Sequence, residues 1–301
     1  MKRTMFTLAS TGILILLLFN SPSLVLAAED RHAVAIDRAL RTSSLSRTEQ
    51  AEVQARAASA IGAGVPAEDV EVIVSRATAR GMDAGTINRF LDLGASAKKE
   101  GLPAGPVLDR IEQGLSKGVP AERIHAATER LEQKLAEARP VVDGFIKSGM
   151  RSRGIAERDA AITSAARALE KNMTRTDIES IGSAVQGKKG SLALFAGAVE
   201  TAAYFTGSGM SPKSASHLVG NAVVKGYSSR DLDSLVKRMD SEMKRGAKAD
   251  DIAAKMEREG MQGEREMERQ EMQQEMKGGH GTGGGSSGMG GMGGGMGGRG
   301  R

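Results

Sequence analysis

Cysteine and tryptophan do not occur among the 301 residues, and aromatic residues make up only 3%. Without cysteine there is no disulfide, catalytic thiol, thiolate metal site or thiol for lipid attachment. Phe90, Phe145, Phe195, Phe205, Tyr204 and Tyr227 are too few to stack on successive bases. Charge of one sign is not in large excess either, since 42 Lys and Arg face 37 Asp and Glu. A nucleic-acid binder would be expected to carry a strong basic stripe, so no nucleic-acid partner is expected.

Chemistry-bearing motifs are equally scarce. His32, His125, His217 and His280 are far apart, and none forms an H-x-x-x-H pair that presents two metal ligands on one helix face. Gly182 to Lys189 matches a phosphate-binding loop until its last position, where Lys189 replaces the Ser or Thr that would hold magnesium. No strand pattern precedes it. The lysines in Gly187-Lys188-Lys189-Gly190 therefore read as a solvated turn. With no nucleophile, hydrolytic-metal or cofactor motif, the sequence reads as non-catalytic, with no cofactor.

The N-terminus carries an export signal. Lys2 and Arg3 precede an apolar core from Ile13 to Phe19, a breaker at Asn20-Ser21-Pro22-Ser23, and Val25-Leu26-Ala27, which fits cleavage after Ala27. The core is too short to span a bilayer. The expectation is an exported chain, periplasmic or extracellular, with no stable membrane span after cleavage. Losing Lys2 and Arg3 leaves the formal charge near balance.

A repeated box then organises the chain. Gly64-Val65-Pro66-Ala67-Glu68-Asp69-Val70 returns as Gly118-Val119-Pro120-Ala121-Glu122-Arg123-Ile124. Further boxes start at Gly81, Gly101, Gly154, Gly209, Gly226 and Gly246, with degenerate ones near Ala136, Asn172 and Gly190 and an earlier one at Ser44. The mean step is about 18 residues and the paired period about 37. Glycine ends a helix in the left-handed conformation, and the third residue (Pro66, Asp83, Pro103, Pro120, Thr174, Ser211 or Ser228) opens the next. Ser46 with Glu49, Thr174 with Asp177, and Ser228 with Asp231 form capping boxes.

Between boxes the apolar residues recur at helical spacing, as in Val70, Ile73, Val74 and Ala77. Helices about a dozen residues long are too short to stand alone in water, so neighbours must stabilise them. The spacing predicts an all-α fold: a right-handed stack of short αα-hairpins, α-solenoid-like, with a paired repeat of about 37 residues. The alternative is an irregular helical bundle. The period is similar in length to tetratricopeptide and Sel1-like repeats, but their large-residue signatures are missing and no family is assigned. Ser191 to Thr206 is the most apolar stretch and predicts a central buried helix, with Glu200 at its edge.

The expected organisation is a signal peptide (1–27), a helical-repeat domain (28–248), a charged Met-containing helix (249–277) and a disordered tail (278–301). Fifteen of the tail's 24 residues are glycine, which cannot bury enough apolar surface to order itself. The expected function is a scaffold in the cell envelope that binds a protein or peptide partner. The alternative is a soft-metal site for Cu(I) on the thioethers of Met289, Met292 and Met296 with His280.

Overall fold

The structure, a computed structural model, describes residues 22–256 and 258, with side chains from residue 31 onward. The chain divides into two units, Met1–Asp250 and Asp251–Arg301. Met289, Met292, Met296, His280 and the glycine-rich tail lie outside the described residues. Among the described residues the fold is all-α, with no strand beyond an isolated bridge between Arg151 and Ser191.

The helices of the first unit are α1 (Pro22–Arg41), α2 (Arg47–Gly62), α3 (Ala67–Ala79), α4 (Ala84–Lys99), α5 (Gly105–Ser116) and α6 (Ala121–Lys147). They continue as α7 (Ile155–Glu170), α8 (Arg175–Gly187), α9 (Leu192–Gly207), α10 (Pro212–Val224) and α11 (Ser229–Lys244). Helix α1 is described from Pro22, so the expected cleavage position after Ala27 falls within it.

The boxes work as folding devices. At Gly64, φ is 92°, its N–H donates to the Ile61 carbonyl, and the Val65 N–H reaches back to the Ala60 carbonyl at 3.1 Å. These bonds satisfy two carbonyls that the helix end leaves unpaired, while Val65 turns into the core. Pro66 then opens α3. The three expected capping boxes form at Ser46, Thr174 and Ser228.

Four boxes depart from expectation. At Gly101, Pro103 is not the opener: Ala104 is the N-cap of α5, and Pro106 sits in its first turn. The helix before Gly154 ends at Gly149 (φ 94°), and Gly154 is the N-cap of α7. The box at Gly190 turns on Lys189 (φ 53°), with Ser191 as the N-cap of α9. The box near Ala136 does not interrupt α6 at all. There Pro140 stands ready as a helix opener, but Ala138 occupies the turn position, and without glycine the helix runs on. Asn172 (φ 64°) does replace glycine as expected, because its short amide tolerates the left-handed region. Lysine has no such help at 189. Lys189→Gly is expected to raise stability by about 0.5–1 kcal/mol, by relieving strain that the greater freedom of unfolded glycine only partly offsets. Urea unfolding measures it.

Many helices pack on the one two ahead: α1 on α3, α2 on α4, α3 on α5, α4 on α6, α7 on α9, α8 on α10 and α9 on α11. By contrast, α5 packs on α6 instead of α7, and the adjacent pairs α6 with α7 and α9 with α10 also pack closely. Polar bridges follow the two-helix step. Glu71 meets His32 at 2.6 Å, Asp92 meets Arg56 at 3.2 Å and Glu200 meets Arg167 at 3.4 Å. Exposed pairs of this kind contribute about 0–1 kcal/mol. The buried rows carry the fold, with Ile73, Ile87, Phe90, Ile111, Leu135 and Phe195 almost wholly covered. Each such side chain contributes about 1.5–3 kcal/mol by burial.

A longer register runs through the helices. Arg47 to Ile155, Ala67 to Arg175, Ala84 to Leu192 and Ala121 to Ser229 are each a step of 108 residues between helix starts. The paired helices α2 and α7 have 16 residues each, α3 and α8 have 13, and α4 and α9 have 16. Buried positions correspond as well: Val70 with Ile178, Ile73 with Ile181, Leu102 with Met210, Ile124 with Leu232 and Leu131 with Met239. Gly246 corresponds to Ala138, the turn that α6 lacks. The 27 residues of α6 thus take the place of α11 and then of α1 in this register, joining two modules.

One helix pair shows what the joint does. α7 packs on α6 as well as on α9, and its Ile162 and Ala166 are buried. The same positions in α2, Gln54 and Ala58, are exposed. α2 packs on α4 with no module before it among the described residues, and it carries the polar residue that such an outer face tolerates.

Candidate interaction surfaces

Two seams hold carboxylates in unfavourable company. Across α4 and α6, the single hydroxyl proton of Ser96 is directed at Glu100 (3.2 Å), although Glu132 also lies within its reach. Oε1 of Glu132 and Oδ1 of Asn88 are buried without a hydrogen-bond partner. Burial raises the pKa of Glu132, Ser96 lowers it, and the charges of Glu100 and Glu129 add to the rise. Across α3 and α5, burial first and then Asp109 and Glu68 raise Asp69, while burial raises Glu112 against the opposing pull of Arg76.

These shifts set the sign of a pH effect. A carboxyl whose folded pKa is raised binds protons more tightly folded than unfolded, so its favourable contribution is present at low pH and lost as pH rises through the folded value. Glu132→Gln is therefore expected to stabilise the protein at neutral pH, with the gain shrinking as pH falls below the folded pKa of Glu132. Urea midpoints across pH for the wild type and variant measure this; a constant difference would remove the assignment. The cap acids Glu49, Asp83 and Asp231 run the other way, since hydrogen bonds from Ser46, Thr86 and Ser228 lower them.

The same hydroxyl–carboxylate contact recurs one module later. Tyr204 corresponds to Ser96 and Asp240 to Glu132, and the Tyr204 hydroxyl donates to Asp240 between α9 and α11. Lys237 stands where the first module has Glu129. Sequence reading missed both contacts because neither belongs to a motif. The 36-residue separation of Tyr204 and Asp240, close to the paired period, was the available signal.

The histidines are not brought together. His32 bonds to Glu71, His125 lies 3.4 Å from Glu129 within α6, and His217 lies beside Asn221 on α10. Among the described residues no group of three or more His, Cys, Asp or Glu side chains is placed to hold a metal ion. Gly182 to Gly187 belong to α8 rather than to a loop, and Gly182 is buried under the Phe145 ring. Glu200 is exposed and pairs with Arg167, as a helix-edge residue should.

A cavity of about 100 Å³ lies between α1 and α3, lined by Ala39, Thr42, Ser43, Ser75, Thr78 and Ala79. The hydroxyls of Thr42, Ser43 and Thr78 donate to carbonyls of their own helices. Ligand pockets usually enclose about 300–1,000 Å³, so this one suits a few waters. Among the described residues no helix is long and apolar enough to cross a membrane. No family model, curated protein or solved structure matches the chain.

Proposed function

We propose that the chain is an exported, non-catalytic α-solenoid: a stack of αα-hairpins that serves as a scaffold for a protein or peptide partner in the cell envelope. The observation that supports this reading is the packing of most helices on the one two ahead. Such packing offers similar exposed rows at successive repeats, the arrangement that repeat proteins use for extended binding surfaces. The polar bridges at nearly constant sequence separation fit the same picture.

An extended surface makes a specific demand on crosslinking. Photo-crosslinkers placed singly at exposed positions on α2, α4 and α6, namely Arg56, Arg89 and Arg130, are expected to capture the same envelope protein at two or more of these sites. Capture of nothing, or of unrelated proteins at each site, would sink the scaffold reading.

A further inference from the structure

We propose that one edge of the second module is a docking face for an anionic phospholipid surface. The edge is made by the turns that follow α6, α8 and α10. Arg151 donates from Nη2 to the Lys189 carbonyl at 2.9 Å, and the Leu192 N–H donates to the Arg151 carbonyl at 2.9 Å, which ties the first turn to the second. The third turn follows because α8 packs on α10 and α9 on α11. A Cβ added to Gly197, in the second turn of α9, would lie 3.8 Å from the hydroxyl of Ser229 at the start of α11.

The first module serves as an internal control. Ala39, Ser43, Gly81 and Glu122 occupy the positions that carry Lys147, Arg151, Lys189 and Arg230 in the second, and all four of these cations are exposed. Helix termination does not require Lys189 or Arg230, since Gly81 and Glu122 stand at those places; α1 does close with cations, Arg38 and Arg41, as α6 does with Lys147. Lys188 and Lys225 differ: Arg80 and Lys117 precede them, and each suits the negative end of a helix. Lys189 also holds a strained φ of 53° where its counterpart is Gly81. Three acids lie at this edge: Glu157 pairs with Arg153, Asp231 caps α11, and the exposed Asp233 stands three residues from Arg230.

The second observation is apolar and independent of charge. Ile155 is 77% exposed and Val224 48% exposed, at the start of α7 and the end of α10 on this same edge. Their counterparts in the first module are Arg47 and Ser116. A soluble polyanion would gain nothing from two protruding aliphatic side chains. A bilayer surface gains from both features, because cations meet phosphate while the aliphatic tips enter the headgroup boundary.

Flotation of the protein, as recovered from cells, with phosphatidylcholine vesicles and with vesicles also containing phosphatidylglycerol tests this. Binding is expected only to the anionic vesicles and should weaken at high salt. The triple variant Lys147→Ala, Lys189→Gly, Arg230→Gln is expected to lose about a hundredfold in partitioning, given the usual weight of a basic residue near such a surface. Ile155→Ser with Val224→Ser is expected to lose about tenfold and to keep its helical circular dichroism. Equal binding to both vesicle types, unchanged binding by the folded variants, or binding to soluble polyphosphate but not to vesicles would overturn the proposal.

Discussion

Gly182→Ala is expected to lower the melting temperature by about 10 °C, a large effect for one added methyl group. The added Cβ would lie 2.2 Å from Cε2 and Cζ of Phe145. A flexible side chain can swing its end away from such a contact, but a phenyl ring moves as a plate. Phe145 is also held from behind, with its ring centroid 5.5 Å from that of Phe195. Relief therefore requires α8 to move away from α6 or both rings to leave their rotamers, at a cost of about 3 kcal/mol. At about 2–4 °C per kcal/mol for a chain of this size, that gives the stated shift. Adding Phe145→Leu should recover part of the loss, because leucine leaves room for the methyl group. If the double variant melts as low as the single one, the clash with Phe145 is not the cause.

Local devices and tertiary register differ in how far the sequence reveals them. The turn at Gly64 is readable because glycine, a buried apolar residue and a cap stand side by side, each with its own conformational reason. α6 shows the limit of that reading: Pro140 resembles a cap, but the stretch from Glu129 to Arg139 is made largely of strong helix formers and lacks a glycine. The 108-residue register is hidden because counterparts share burial rather than identity, as Ile87 and Phe195 do. The carboxylate seams were out of reach because Glu132 meets Ser96 only through helix packing. The lysine pair at 188 and 189 was visible as a turn. Its significance emerges only beside Arg80 and Gly81, one module earlier.

Phe90→Ala is expected to cost about 4 kcal/mol, even though it writes into α4 the residue that α9 carries at the same place. Phe90 and its counterpart Ala198 are both buried, as are Ala97 and its counterpart Phe205. α4 thus places one phenyl ring on its core face, at 90, whereas α9 places two, Phe195 and Phe205, at the places of Ile87 and Ala97. Neither ring of α9 stands at the place of Phe90: the offsets of three and seven residues are about one and two turns, or roughly 5 and 10 Å along the helix, so the α9 pattern leaves an alanine where α4 needs a ring. If the modules were interchangeable residue by residue, the substitution would be silent. If they share backbone and burial while filling volume differently, it opens a phenylalanine-sized hole in the first module. Hydrogen exchange should locate the loss, with amides of α3 to α5 exchanging faster and those of α8 to α10 little changed. A silent substitution, or equal acceleration in both modules, would show that the 108-residue correspondence does not describe two separately packed cores.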